Sequence, residues 1–430
     1  MIVRFPYGKS ETEVNLPDER LLAVVKLSKI RGIATEFQQL KKSLNNPIGS
    51  ENLWKLASKE RKVCIIISDY TRAMPNRKVI PPILGELERG GCRMHNIYIL
   101  VAYGLHSPAS SKEVKRSLGK SVTEKVRVIE HNAEDESQLA YLGETAFDTK
   151  LWVNKLLVDC DLIIGTGLIE PHFFAGYSGG RKAVLPGVAG RESIFQNHSF
   201  AMIEHPKARY GMLDENPIHQ DMVEAAKLAG LDYIVNVVVE GDRVVKAFSG
   251  NPYQAHYEGI KFLNKWVKIG IPSKAEIVIV SNGGYPLDRD LYQTVKGIAT
   301  GELCVKKNGV IIILSECLDG IGKGHKSFYR IMAEAESPNE VLQKIRREEP
   351  IKDQWQAQIL ARILKIASVV VVTKNIKHSL IEDMQMIPSS NVEKALNLAY
   401  GLTNERSKVT AVLDGPYSIP CPKDFFRAWI

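Results

Sequence analysis

Six cysteines in 430 residues are few, and those at 64, 92, 160, 304, 317 and 421 form no C-x-x-C pair. A disulfide scaffold and a cysteine-built zinc site are therefore not expected; the thiols read as buried and free in a reducing compartment. Long apolar runs are missing as well. Stretches such as 310–314 and 367–372 fall far short of the ~20 residues needed to span a bilayer. No charged-then-apolar leader opens the chain; residues 1–16 alternate like a hairpin turning at Gly8. The expectation is a cytoplasmic protein with no membrane partner. Lysine and arginine outnumber acids, 57 to 49, for a formal net charge of +8. They are interspersed with acids and cluster only in pairs such as Arg61-Lys62 and Lys306-Lys307. With no basic tract, zinc-finger spacing or RNP-type aromatic motif, nucleic acid is not the expected partner, and the positive surplus favours small anions.

What is present is the grammar of an α/β enzyme. A chain of this length exceeds one comfortable core, so two domains are expected. Nearly continuous apolar runs at 63–68, 96–102 and 162–164 each empty into a polar loop, and a helical pattern follows. Such βαβ units predict mostly parallel sheets flanked by helices, with the active site in the cleft between the two domains. The boundaries expected are 1–269, rejoined by 405–430, and 274–404. Helices are predicted over 18–29, 53–62 and 81–89, the last with Pro81 and Pro82 in its first turn. The strand over 408–414 is expected to return to the first domain.

Four segments after apolar runs carry ionisable side chains: Asp69 and Arg72; His106; His172, Lys182 and His198; and Tyr292, Gln293 and Lys296. Loops that follow parallel strands converge on one sheet edge, so these segments reinforce one another. The stretch from Gly176 to Lys182 is not a P-loop, because Arg181 stands where glycine must precede the lysine. Glu170 likewise breaks the dinucleotide fingerprint begun by Gly165-Thr166-Gly167. What remains is a glycine loop that can approach a planar or phosphorylated group, with Lys182 as nucleophile or anion clamp. The spacing of His172 and His198 does not make a zinc site; a single imidazole completed by a non-protein ligand would fit. His219 reads as structural.

At these residues the chain resembles the nickel-dependent lactate racemase family. Asp69, Thr71, Arg72 and Pro75 match D-x-T-R-x-x-P, and Gly104-Leu105-His106 matches G-x-H. His172 through Lys182, then Pro186, Gly187, Asn197 and His198, match the long signature H-[YF]-F-A-G-Y-S-G-G-x-K-x-x-x-P-G…N-H. Residues 213–219 match L-x-x-N-P-x-H, Tyr292, Gln293 and Lys296 match Y-Q-x-x-K, and 353–358 read D-Q-W-Q-A-Q. The resemblance implies a racemase that interconverts D and L forms of a short 2-hydroxy acid, lactate by default, through reversible hydride transfer to a nickel pincer nucleotide. That cofactor, pyridinium-3-thioamide-5-thiocarboxylic acid mononucleotide, would be attached covalently to Lys182, with His198 as nickel ligand. His106 and His172 would exchange the hydroxyl proton, Asp69 would orient His106, and Arg72, Gln293 and Lys296 would bind the substrate. Tyr292, Trp355, Thr71, Gly179 and Gly180 would line the cofactor pocket, and cofactor-synthesis enzymes would be partners. Ser107, Arg181 and the pair Glu170-Pro171 depart from the family pattern and leave the 2-hydroxy acid open. The alternatives are a racemase or epimerase of another 2-hydroxy acid, and a non-catalytic nucleotide- or anion-binding sensor. No oligomeric state follows from the sequence.

Overall fold

The computed structural model describes residues 1–30, 35–69 and 72–423. Two six-stranded sheets, each flanked by helices, divide the molecule. The first runs Arg243–Gly250, Tyr233–Glu240, Leu162–Leu168, Val63–Ser68, Ile97–Ala102, Arg127–Glu130, and only its edge hairpin is antiparallel. The second runs Ile387–Ser389, Ala367–Val372, Val305–Leu314, Ala275–Ser281, Val409–Val412, Leu21–Val25 and is parallel throughout. Sequences such as VCIIIS in Val63–Ser68 suit the central positions, where the strand is buried on both faces.

Chain order reverses in both sheets. In the first, the chain moves from Val63–Ser68 outward to Arg127–Glu130, then restarts on the other side at Leu162–Leu168. In the second it leaves Ala275–Ser281 toward Ile387–Ser389 and returns on the other flank as Val409–Val412. Side by side at such a switch point, two strands send their following loops apart, opening a crevice at their carboxyl ends. The first crevice and the helix that follows Ala275–Ser281 contribute to the cavity described below.

The amino-terminal segment departs from expectation. Residues 18–29 contain a strand, Leu21–Val25, where a helix was predicted, and it pairs with Val409–Val412 through Val412↔Val25. The hairpin of Ile2–Tyr7 and Ser10–Asn15 packs Val3, Phe5, Val14 and Leu16 against Ile277, Ile279 and Ile312 of the second sheet. Residues 2–25 and 409–412 therefore sit with the second sheet, because Val409–Val412 presents a strand edge that Leu21–Val25 completes. Among the described residues of that tail, Ile419–Pro422 turns back, pairing with Lys268–Ile271. The predicted helix over 53–62 is a single turn, Leu53–Leu56. The one predicted over 81–89 starts at Asn76, which puts Pro81 and Pro82 inside it. Two missing N–H donors weaken that helix, but Val79, Ile80, Ile83, Leu84 and Leu87 are buried along one face, and that burial holds it together. All six cysteines are free, and only Cys160 is not fully buried. Among the described residues no helix is long and apolar enough to cross a membrane.

Candidate active site

A cavity of about 170 Å³ opens where the two sheets' carboxyl edges face each other, and both halves of the chain line it. From the first half come Asp69 and Arg72 after Val63–Ser68, His106 after Ile97–Ala102, and His172, Gly179, Lys182 and His198 after Leu162–Leu168. The second half supplies Tyr292, Gln293 and Lys296 from the helix Leu291–Cys304, and Trp355 from the helix Gln354–Leu364. Asp290 caps the first of these helices by accepting from Gln293 N at 2.7 Å, and Tyr292 and Gln293, four and three residues before Lys296, both neighbour it on the helix surface. Thr71 lies outside the described residues. Gly180 is buried behind the loop and does not line the cavity; it donates its N–H to Asn236 Oδ1 at 2.7 Å. His219 also stays off the cavity wall.

Hydrogen bonds assign the imidazole tautomers. His106 Nδ1 lies 2.6 Å from Asp69 Oδ2, and the buried carboxylate accepts, so Nδ1 carries the proton and Nε2 keeps a lone pair. His172 is arranged the other way round. Its Nδ1 accepts from the backbone N–H groups of Ala175, at 3.3 Å, and Phe174, at 3.5 Å. The proton therefore sits on Nε2, which faces Lys182 Nζ at 3.1 Å. Burial, reinforced by the Lys182 charge, holds His172 well below the usual imidazole range. Lys182 is itself held well below the ordinary lysine range by burial and then by Arg181 and Arg72. With Nδ1 accepting from the backbone, the Nε2–H of His172 donates to Lys182 Nζ, and an amine that accepts a hydrogen bond is uncharged.

His198 sits at the C-terminal end of the helix Arg191–Asn197, whose last side chain donates from Nδ2 to the buried Asp221 at 2.6 Å. Its ring is gripped edge-on by Phe174, centroids 5.0 Å apart, and Trp355, at 5.2 Å. Burial, then the Lys182 charge, pulls its pKa down to about 3, and its Nδ1 has no hydrogen-bond partner among the described residues. Burial and then Arg72 pull Lys296 down to about 7. Gln293 Oε1 is buried and has no hydrogen-bond partner among the described residues.

Sequence reasoning missed one more histidine on the wall. His325 Nδ1 lies 3.1 Å from Asp353 Oδ1, and its ring stacks on Tyr292 with centroids 3.6 Å apart and planes 7° off parallel. Trp355 Nε1 in turn donates to the Tyr292 hydroxyl at 3.2 Å. The signal available was the glycine-rich run 320–325 after the strand Val305–Leu314.

Comparison with known proteins identifies the family. The lactate racemase N-terminal domain matches residues 7–211 and the lactate racemase C-terminal domain residues 271–419. Lactate racemase of Thermoanaerobacterium thermosaccharolyticum is 40% identical over 419 residues, covering 96% of this chain and 97% of that protein. The lactate racemase of Lactiplantibacillus plantarum is 36% identical over 96% of this chain and 98% of its own length. The solved lactate racemase apoprotein from T. thermosaccharolyticum superposes with a TM-score of 0.93 at 39% identity, covering 98% of this chain and 100% of that one. A Thermotoga maritima protein at 19% identity and a TM-score of 0.66 shares the fold. The chain belongs to the lactate racemase family.

Proposed function

We propose that this protein is a 2-hydroxyacid racemase that uses a nickel pincer nucleotide attached to Lys182, with lactate as its first substrate to test. The observation that carries the reading is one cavity holding a neutral lysine in contact with His172, a neutral His198 and an aspartate-paired His106. The residues fit the cofactor. Among the described residues no three His, Cys, Asp or Glu side chains are grouped to hold a metal ion. A nickel ion here would have to bring most of its donors, as the soft sulfurs of the nucleotide do, with the His198 imidazole completing the set. An uncharged lysine amine is the form that makes a covalent attachment. Gly179, Tyr292 and Trp355 would line the group, with Thr71 carried by the family resemblance.

When bound, the group would supply an acceptor for the substrate's Cα hydride. The protein's part is to hold the substrate and move its hydroxyl proton. Arg72, Lys296 and Gln293 would bind the carboxylate, the arginine as a planar fork. His106, with its lone pair on Nε2 and its Nδ1–H held by Asp69, would take the hydroxyl proton from one enantiomer as the Cα hydride departs, so that proton and hydride together leave a flat 2-oxo acid. His172 would serve the other enantiomer through Nε2 once Lys182 no longer occupies that atom and the ring proton has passed to Nδ1. Glu170 lines the same cavity and repels a second carboxylate, so monocarboxylic acids are the expected substrates.

The test is intact-protein mass and nickel content after co-production with the cofactor-synthesis enzymes. A mass increment mapping to Lys182, accompanied by nickel and by lactate racemisation, is expected. A metal-free, unmodified chain made under those conditions would overturn the reading in favour of a non-catalytic anion binder.

A further inference from the structure

Arg181 does not line the cavity, yet it is only 1% exposed and meets no carboxylate among the described residues. A buried, unpaired guanidinium is costly, so its contacts are informative. Its Nη2 donates to Ala175 O at 2.7 Å and its Nη1 to Gly179 O at 3.3 Å. His256, buried beside it at 3.4 Å, donates Nε2–H to Ser178 O at 2.8 Å. Three carbonyls of one loop are thus drawn to its rear face. The contact is close: Gly180 has φ +54°, and a Cβ there would lie 2.7 Å from His256 Cγ.

The front of the same loop sets the state of the cavity. Ala175, whose carbonyl Arg181 holds, also presents its N–H to His172 Nδ1 at 3.3 Å. That contact keeps the ring proton on Nε2, opposite Lys182 Nζ at 3.1 Å. If the loop rotated, His172 could carry its proton on Nδ1 and accept from a protonated Lys182 instead.

We propose that Arg181 and His256 are positioning residues for Lys182: holding Ala175, Ser178 and Gly179 from behind, they fix the His172 tautomer and keep the lysine amine an uncharged hydrogen-bond acceptor, ready to be acylated. What Lys182 is acylated by rests on the racemase reading; the state of its amine in the empty protein does not. The two fail separately, since the mass and nickel measurement above does not examine the empty protein.

The probe is potassium cyanate on cofactor-free protein at pH 7. A neutral amine adds to the carbon of cyanic acid; the N–C bond forms, the amine proton passes to the cyanate nitrogen, and nothing leaves. Peptide mass spectrometry compares carbamylation at Lys182 with that at Lys120, whose side chain is 87% exposed. Lys182 is expected to react faster than Lys120. Arg181→Lys keeps the charge but cannot span both carbonyls, and is expected to cut the Lys182-to-Lys120 ratio about tenfold, the effect of one proton-affinity unit at the amine. His256→Phe preserves the ring that Gly180 packs on, removes the Ser178 contact, and is expected to lower the ratio in the same direction. It carries the test if circular dichroism shows Arg181→Lys unfolded. A wild-type Lys182 slower than Lys120, or a folded variant with an unchanged ratio, would overturn the proposal.

Discussion

Two histidines on the cavity wall are each tied through Nδ1 to a buried aspartate, one from each half of the chain. His106 meets Asp69 at 2.6 Å and keeps 32% of its side chain exposed. His325 meets Asp353 at 3.1 Å, is 16% exposed, and lies flat on Tyr292. The hydrogen-bond pattern is the same and the surroundings are not. A carboxylate on Nδ1 fixes a tautomer in both cases. His106 is the more exposed of the two, whereas His325 has its face committed to an aromatic ring that is itself linked to Trp355 and, through it, to His198. A histidine–aspartate pair is therefore a base or a brace according to what covers the ring.

The comparison is sharpest in turnover. His106→Ala in cofactor-loaded protein is expected to lower kcat/KM for both lactate enantiomers by ~10²–10⁴-fold, the range for losing a general base, because a racemase's equilibrium constant of one ties the two directions together. Asp69→Asn should follow in the same direction, because the amide no longer selects the Nδ1–H tautomer. Polarimetric rates from each pure enantiomer measure both. His325→Ala, by contrast, should lower kcat by about tenfold or less, as it disturbs only the placing of Tyr292. Equal losses at His106 and His325 would erase the distinction drawn between them.

Substrate binding separates the halves in a second way. Lys296, pulled to about 7 by burial and then by Arg72, is charged below that pH and neutral above it. A carboxylate ligand favours the charged form, so KM should be lowest on the acid side of neutrality and rise as pH climbs through the lysine's titration. Lys296→Met should raise KM about tenfold at pH 6 and flatten this rise, since a hydrogen bond to a charged group contributes ~1.5–3 kcal/mol. Initial-rate KM values from pH 6 to 9 test both the sign and the slope.

Much of the first half of the site was legible because its chemistry is local. His172, Lys182 and His198 lie within one loop-and-helix stretch after a single strand, and Asp69 and His106 immediately follow apolar runs that announce themselves as buried strands. The brace was not legible, because His325 and Asp353 are 28 residues apart, with two helices between them. Asp353 also sits at φ +72°, a left-handed conformation that no local pattern predicts for an aspartate. The same reason explains Leu21–Val25. Its partner Val409–Val412 is at the far end of the chain, and a five-residue apolar stretch beside charged neighbours carries no mark of which sheet edge it will complete. Gly180 was read as a cofactor contact from its place in the glycine run, but the structure shows it facing rearward, where His256 leaves no room for a side chain.

The smallest expected catalytic effect is also the most discriminating. His325→Phe keeps a flat ring on Tyr292 and removes only the N–H that Asp353 accepts. If His325 is a brace through its face, turnover should change by less than about threefold, within the scatter of ordinary surface substitutions. Stability should nevertheless fall by ~1–3 kcal/mol, because Asp353 is 1% exposed, its Oδ2 already has no partner, and the lost donor leaves Oδ1 buried as well. Urea unfolding of the cofactor-free protein reads the second quantity independently of the first. A large loss of turnover with unchanged stability would make His325 a proton carrier instead, and the two pairs would then be equivalent after all.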